Sequence, residues 1–432
     1  MKKIIKYFNY LVFLLAITTV LVSLCDILIP IYIPYKEYLI TPFLEVIMIF
    51  ILLKDSHLKI YKQELLLYII VLLPLLIIYL WEPFRYMIYP GRNPIFIYVS
   101  FFNLFIFFFY YILNIARDPS FYLTSLKLYW GLNYVIAVVS IIIFFLLHLG
   151  LIKIDSWGLP TSFGLNYRVK YNIEGAVENI YSVPFGISVI LPYYHKPLGF
   201  LSEFGTFSGL SYEPHLATFF MTPAYFLTFY FYKNNLKSFF YYHLPFILFF
   251  LLASSLTNIL ALGIVGVIMF IVTLDFKRIG SRIILLYVVL IGIYIFFIEY
   301  YEPIYSYINY KIEGRSTEET VGFTNYILNP SKIIGWGAFN TPTYFSNKSH
   351  QNIGLISTFL ILYLYITLLF LIIKNYFKKN YVFMAIGLYI FLHSLKFPLH
   401  ILHFPFLVFI LLIITIPIID RYKMKYLDGE NK

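Results

Sequence analysis

Glu213 and His215 are the residues of this chain best suited to proton transfer. They lie in Gly209-Leu-Ser-Tyr-Glu-Pro-His-Leu-Ala217, directly before an apolar run that extends to about Tyr232. Pro214 fits the first turn of a helix, where its missing N–H costs no hydrogen bond. Glu213 would then lie at the positively polarised helix N-terminus. These residues can move a proton to or from a hydroxyl, and a polar helix cap at a water interface is the simpler interpretation of the same residue types.

A second group of ionisable residues lies in a later polar segment. Arg315 stands in Glu313-Gly-Arg-Ser316, and His350 stands in Ser349-His-Gln-Asn352, which again directly precedes an apolar run. Arg and Lys bind phosphate oxygens, Arg through bidentate pairs, whereas Glu and His suit proton transfer. The two groups together fit chemistry on a lipid-linked phosphate, although each residue taken singly is typical of a solvated loop.

The composition is that of a polytopic membrane protein. Hydrophobic residues make up 61% of the 432 residues and charged residues only 12%, and the mean hydropathy is +0.81. We therefore predict an all-α fold, with residues 1–432 forming one membrane domain of about twelve transmembrane helices. The apolar runs lie near 7–29, 36–53, 65–81, 95–115, 126–151, 215–232, 239–254, 256–274, 283–298, 352–373, 381–397 and 401–419.

Lys and Arg predict the orientation of these helices. With a cytoplasmic N-terminus and a tight turn at Ser254-Ser-Leu-Thr-Asn258, most basic residues fall in alternate short connections, and the C-terminus is also cytoplasmic. The net charge of +11 then reflects topology rather than nucleic-acid binding. The first run is too long for a signal peptide and lacks a small-residue cleavage site, so we interpret it as a retained helix.

Two segments predicted on the outer face are long, at about 152–209 and 299–351. Loops of this length are uncommon unless they are functional. Within the first, the apolar tract from Ile180 to Phe200 is interrupted by three prolines. This tract is predicted to be a re-entrant or interfacial segment rather than a full span.

Other polar residues near the apolar runs are weaker candidates. Glu45 lies within the second run, where an acid is either functional or hydrogen-bonded to another helix, and the sequence favours neither. His393, His400 and His403 lack a carboxylate or thiolate partner for zinc. Cys25 is the only cysteine, which excludes an internal disulfide and a multi-cysteine metal site. The sequence also lacks a phosphate-binding glycine loop, a Gly-x-Ser-x-Gly elbow and a His-Glu-x-x-His motif.

Three short motifs follow one another in the second half of the chain. They are Ser208-Gly-Leu-Ser-Tyr-Glu-Pro-His-Leu-Ala217, Asn329-Pro-Ser-Lys-Ile-Ile-Gly-Trp-Gly337 and Ser349-His-Gln-Asn352. They resemble the Gly-x-Phe-x-Glu-Pro, Asn-Pro…Gly-x-Gly and His-Asn motifs of the O-antigen polymerase and ligase superfamily, most closely its repeat-unit polymerases. The resemblance is broadest from about Ile152 to Ile373, whereas the first five apolar runs match only in hydropathy.

The resemblance implies a glycosyltransferase of the bacterial cytoplasmic membrane. Such an enzyme joins undecaprenyl-diphosphate-linked oligosaccharide units of O-antigen or capsule at the outer face, without a metal or another cofactor. Its partners would be the lipid-linked donor and acceptor and the bilayer, with a chain-length regulator and a flippase as further candidates and no nucleic acid. The alternatives are a ligase that transfers finished glycan to another acceptor, a polysaccharide transporter or flippase, and a non-catalytic scaffold.

Within this expectation, Glu213, His350 and Arg315 are the predicted catalytic residues. Arg315 would stabilise charge on the departing diphosphate, and Glu213 or His350 would accept the proton of the attacking hydroxyl. The sequence does not decide which of the two is the base. The predicted substrate-binding residues are Arg168, Lys170, Tyr212, His215 and Asn352.

Overall fold

A computed structural model describes residues 2–18, 36–54, 61–88, 94–151, 170–171, 177–182, 188–191, 206–207, 209, 214–232, 236–253, 255–272, 347–396 and 404–419. Most of these residues are helical. The α7 helix is composite, with a π-helical segment Phe239–His243 between α-helical segments Leu236–Ser238 and Leu244–Ala253. The other helices are α1 (Lys2–Ile17), α2 (Lys36–Leu53), α3 (Lys62–Ile88), α4 (Pro94–Arg117), α5 (Ser120–His148), α6 (Pro214–Phe231), α8 (Leu256–Val272), α9 (Asn347–Phe377), α10 (Tyr381–Lys396) and α11 (Phe404–Thr415), with the last followed by a 3-10 turn, Ile416–Ile418.

The helices coincide with the apolar runs of the sequence. Every predicted run that falls on described residues lies on a helix, and the run at 283–298 lies outside those residues. Within the described ranges, three helical segments are long and apolar enough to cross a membrane, namely Glu64–Arg85, Ser120–Leu146 and Phe359–Phe377, and six shorter apolar helices accompany them. The prediction of a helical membrane protein is therefore confirmed for the described part of the chain.

Four short strands are the main addition to the predicted fold. The strands β1 (Lys170–Tyr171), β2 (Val177–Ser182), β3 (Ser188–Leu191) and β4 (Thr206–Phe207) form an antiparallel sheet in the order β1-β2-β3-β4. Val, Ile and Tyr favour strands, and the turn between β2 and β3 contains Pro and Gly. The described part of the predicted re-entrant tract is therefore a β-hairpin, in which neighbouring strands satisfy the backbone groups.

The α11 helix forms the centre of the bundle. Its residues from Phe406 to Ile414 are at most 1% exposed. A helix that is apolar on all sides must be covered by other helices, and α11 contacts α1, α3, α4, α9 and α10. Near its middle, the Phe409 ring packs against Phe13, Tyr111 and Tyr129, with ring centroids 5.3–5.7 Å apart. This aromatic centre joins the first helices of the chain to the last.

Side-chain hydrogen bonds to neighbouring helices define one end of the bundle. Asn9 Nδ2, midway along α1, donates to Asn114 Oδ1 near the end of α4 at 2.6 Å. Tyr122 OH at the start of α5 donates to the Ile413 carbonyl of α11 at 3.1 Å, and Asn375 Nδ2 near the end of α9 donates to the Ile414 carbonyl at 2.7 Å. We call this the basic end, since these helix termini carry Lys2, Lys3, Lys6, Arg117, Lys127, Lys374, Lys378 and Lys379.

The opposite end contains the starts of α6 and α8 and the later half of α10. Thr222 Oγ1 of α6 donates to Asn258 Oδ1 of α8 at 2.8 Å, two residues after α8 begins. Tyr389 OH of α10 donates to the Thr218 carbonyl of α6 at 3.1 Å. The predicted topology puts these same helix ends on one face, away from the short basic connections. The turn predicted at Ser254-Ser-Leu-Thr-Asn258 extends too far, because α7 ends at Ala253 and Leu256 to Asn258 already belong to α8.

Candidate functional site

The structure describes only part of the predicted site. Glu213, Arg315, Arg168 and Tyr212 lie outside the described residues. Lys170 lies in β1, where only its backbone is described, and His215 is the second residue of α6 and is partly buried. The proposed meeting of Glu213, His350 and Arg315 therefore stays a prediction.

Helix α6 begins at Pro214, as the sequence predicts. The Thr218 hydroxyl donates to the His215 carbonyl at 3.1 Å within the first turns. The first backbone N–H groups of a helix have no partner inside it, and the helix dipole makes this end favourable for an anion. The residue immediately before Pro214 is Glu213. Glu213 is therefore bonded directly to the first residue of α6.

His350 and Asn352 lie differently from the prediction. The sequence analysis puts the start of the apolar helix at about residue 352, with His350 in the preceding loop. In the structure the backbone of α9 is already helical from Asn347, so both residues belong to its first two turns. The stretch from Asn347 to Asn352 contains no Pro or Gly that would end a helix, which explains the longer extent. The hydropathy pattern missed this polar extension because it follows apolar residues only.

Phe207 and Gly209, six and four residues before Glu213, are in contact with the helix bundle. Phe207 of β4 is 0% exposed, and its ring centroid lies 5.9 Å from that of Phe144 in α5. Gly209 has a φ of +55°, and a Cβ at this position would lie 3.3 Å from both Ile136 Cγ2 and Phe249 Cζ. Gly209 therefore meets both a conformational and a steric requirement for glycine.

Glu213 belongs to a short connection between Gly209 and α6. Only residues 210–213 separate Gly209 from the first residue of α6. Both ends of this short connection are attached to the helix bundle, one at α5 and α7 and the other at the start of α6. The motif was predicted from the sequence, but its attachment to α5 and α7 was not. Gly209, at the start of the motif, is the sequence feature that signals this attachment.

A buried hydrogen-bond network lies directly below the start of α6. We call Thr218, Thr222, Asn258 and Tyr389 the Asn258 network, and all four side chains are 0% exposed. Asn258 Oδ1 accepts from Thr222 Oγ1 at 2.8 Å and from Tyr389 OH at 2.7 Å. Tyr389 OH is also 3.1 Å from the Thr218 carbonyl. One amide oxygen thus joins α6, α8 and α10.

His393 lies beside the Asn258 network within an aromatic environment. It is 0% exposed, and its ring centroid lies 4.8 Å from that of Phe219 and 5.6 Å from that of Tyr389. These ring contacts give the imidazole a packing role between α6 and α10. His400 and His403, which the sequence analysis grouped with it, lie outside the described residues.

Glu45 and Arg85 are charged residues that are almost fully buried within helices. Glu45 of α2 is 1% exposed, and its Oε1 has no hydrogen-bond partner among the described residues. Arg85 of α3 is also 1% exposed. The sequence analysis did not single out Arg85, because the third apolar run was predicted to end at residue 81, whereas α3 continues to Ile88.

Comparison with protein-family profiles, with characterised proteins and with solved structures found no significant match for this chain. The functional assignment therefore depends on the chain's own motifs and on the geometry around the start of α6. The structural observations that support this assignment are the helical architecture and the contacts of Gly209.

Proposed function

We propose that this protein is a glycosyltransferase of the bacterial cytoplasmic membrane that polymerises undecaprenyl-diphosphate-linked oligosaccharide units of a surface polysaccharide. The donor glycan is transferred from its diphosphate lipid to a hydroxyl of the acceptor unit at the outer face. The protein crosses the membrane about twelve times, with both termini in the cytoplasm and with the segments 152–209 and 299–351 outside.

The observation that carries the proposal is the arrangement around the start of α6. The Glu-Pro motif that resembles the polymerase family occurs where a buried helix begins, and the chain before it is held at Phe207 and Gly209. A catalytic group needs a supported position, because small displacements from productive geometry cost large factors in rate. The contacts of Gly209 and the start of α6 at Pro214 supply such support on the two sides of residues 210–213.

The two ends of the bundle support the proposed orientation. The basic end carries Lys and Arg at several helix termini, which is typical of the cytoplasmic side of a membrane protein. The start of α6 lies toward the opposite end, together with the start of α8 and the later half of α10. The Glu-Pro motif is therefore expected on the outer side, where lipid-linked repeat units are polymerised.

The proposed reaction needs one base and one anion-stabilising group. The acceptor hydroxyl oxygen forms a bond to the anomeric carbon of the donor, and the bond from that carbon to the diphosphate oxygen breaks. The electron pair leaves with undecaprenyl diphosphate, whose growing charge Arg315 stabilises, with Arg168 as a helper. The hydroxyl proton passes to Glu213 or His350. Tyr212, His215, Lys170 and Asn352 are the proposed substrate contacts.

A transporter of lipid-linked glycan is the second candidate, and the buried charges favour it. Transport proteins commonly place ionisable residues within their membrane helices, and Glu45 and Arg85 are both buried in helices of this chain. A ligase for finished glycan differs from the polymerase only in its acceptor.

Reconstitution separates the three candidates. The purified protein is placed in liposomes with undecaprenyl-diphosphate-linked oligosaccharides extracted from the source cells, and the products are separated by size. The proposal predicts a ladder of multiples of one unit together with released undecaprenyl diphosphate. Transfer of glycan to a different acceptor would support a ligase, and movement of unchanged single units across the bilayer would support a transporter.

A further inference from the structure

Two hydroxyl groups below the start of α6, those of Thr222 and Tyr389, make bonds between helices rather than within one helix. Thr in a helix commonly donates to the carbonyl four residues earlier. Thr222 instead donates to Asn258 Oδ1 in α8, and the Thr218 carbonyl, four residues before it, accepts a bond from Tyr389 OH in α10. The network therefore fixes the position of one face of α6 relative to two other helices.

The Asn258 network lies close to the proposed catalytic motif along the helix axis. Thr218 comes four residues after Pro214, which corresponds to a rise of roughly 6 Å in an α-helix. A helical turn is stiff, so a displacement at Thr218 carries over to Pro214 and to the chain that leaves it. On the other side of Glu213, Gly209 is held against Ile136 and Phe249.

Asn258 is the residue that α6 and α10 share as a hydrogen-bond partner. It bonds to Thr222 Oγ1 of α6 at 2.8 Å and to Tyr389 OH of α10 at 2.7 Å, at a fully buried position. Each bond holds its partner at a fixed separation from α8, so the two bonds together set the position of α6 relative to α10.

We infer that Thr222, Asn258 and Tyr389 are positioning residues, which hold the start of α6, the helix that begins directly after the proposed catalytic Glu213. This inference rests on the proposed glycosyltransferase function. The three residues act through the backbone of α6 and do not themselves touch the substrate.

The test uses variants that remove single hydroxyl groups with little change of shape. Tyr389→Phe and Thr222→Val remove donors to Asn258 Oδ1, whereas Thr222→Ser keeps one. Tyr122→Phe is the matched control, because its buried hydroxyl also donates to a carbonyl of another helix, but at the basic end. Thr367→Val is the second control, since the Thr367 hydroxyl bonds only to the Tyr363 carbonyl of its own helix among the described contacts.

Kinetics in liposomes provide the first measurement. Tyr389→Phe and Thr222→Val are expected to lower kcat about tenfold, with KM for the acceptor changed less than about twofold, because orientation rather than binding is affected. Thr222→Ser is expected to recover most of kcat, and both controls to keep it. Unchanged kcat in Tyr389→Phe and Thr222→Val, or an equal loss in the controls, would overturn the inference.

Hydrogen–deuterium exchange provides the second measurement, and it does not depend on activity. In Tyr389→Phe and Thr222→Val, amides at residues 215–222 are expected to exchange about tenfold faster, with α1 and α4 unchanged. Unchanged exchange at the start of α6 would contradict the positioning role. If the wild-type protein transfers no glycan, the proposed function fails, and the exchange result still decides whether the network positions α6.

Discussion

The two ends of the bundle contain buried hydrogen-bond networks of similar composition that join different helices. At the basic end, the Tyr110 network consists of Asn9, Tyr110 and Asn114. Tyr110 OH donates to Asn9 Oδ1 at 2.7 Å, Asn9 Nδ2 donates to Asn114 Oδ1 at 2.6 Å, and Asn114 Nδ2 donates to the Tyr110 carbonyl at 2.9 Å. In the Asn258 network, by contrast, one amide of α8 bonds to side chains of α6 and α10.

We interpret the Tyr110 network as stabilising the fold and the Asn258 network as positioning α6. The Tyr110 network uses both sides of its amides and joins α1 to α4, far along the chain from every predicted site residue. The Asn258 network instead fixes the helix that begins immediately after Glu213. Changes at the basic end should therefore affect folding, and changes around the start of α6 should affect activity.

The largest expected effect comes from Arg315. Arg315→Ala should abolish chain extension and cause single lipid-linked units to accumulate, because the departing diphosphate loses its cation. Arg315→Lys should recover little, since a point charge replaces a bidentate guanidinium. Polymer length on a gel, with membrane protein level measured beside it, provides the check. Full-length polymer from Arg315→Ala at normal expression would remove the diphosphate role.

A smaller loss of activity is expected from Gly209→Ala. The new methyl group would be held at positive φ and pressed against Ile136 and Phe249, so the chain before Glu213 should shift. We expect about a tenfold lower rate of polymerisation in liposomes. Gly150 also has a positive φ, of +68°, but a Cβ there would meet no atom within 4 Å, and Gly131 has neither constraint, so Gly150→Ala and Gly131→Ala are the controls. Equal activity of all three variants would show that the anchoring at Gly209 does not support catalysis.

The orientation of the two ends can be tested by labelling in a Cys25→Ser background. Ser349→Cys, at the start of α9, should react with a membrane-impermeant maleimide from outside the cytoplasmic membrane. Lys378→Cys, at the basic end, should react only after that membrane is permeabilised. The opposite pattern would reverse the topology and place the Glu-Pro motif in the cytoplasm.

The smallest effect on activity is expected at the basic end. Tyr110→Phe removes a hydroxyl that bonds to Asn9 Oδ1 and to the Asn9 carbonyl at 2.9 Å. Interhelical bonds of this kind contribute about 1 kcal/mol, so the thermal midpoint in detergent should fall while kcat stays unchanged. Loss of activity without loss of stability would place the Tyr110 network in the catalytic machinery.

Local patterns predicted much of this fold. The second apolar run matches α2 from Lys36 to Leu53, and the Glu-Pro signal fixed the start of α6 at Pro214. Apolar runs of sufficient length have few alternatives to a buried helix, and proline restricts where a helix starts.

Interactions between distant residues could not be read from the sequence. The sheet depends on pairing such as Asn179 with Leu191, and the Asn258 network joins residues from three separate helices. The buried Arg85 was also missed, because hydropathy does not reveal which charged residues near a helix end are covered by neighbours.

Two matched Glu→Gln substitutions test the central claim that a catalytic residue lies at the start of α6. Glu213→Gln and Glu45→Gln make the same chemical change, but Glu45 lies about 13 Å along α2 from its first residue and is 1% exposed. With protein levels matched, chain extension is measured as polymer length and rate in liposomes. Glu213→Gln should lower the rate roughly 100-fold if Glu213 is the base, while Glu45→Gln stays near normal. The account would be contradicted if Glu213→Gln made full-length polymer at a normal rate while a well-folded Glu45→Gln protein was inactive. That result would favour a transporter that uses the buried charge of Glu45.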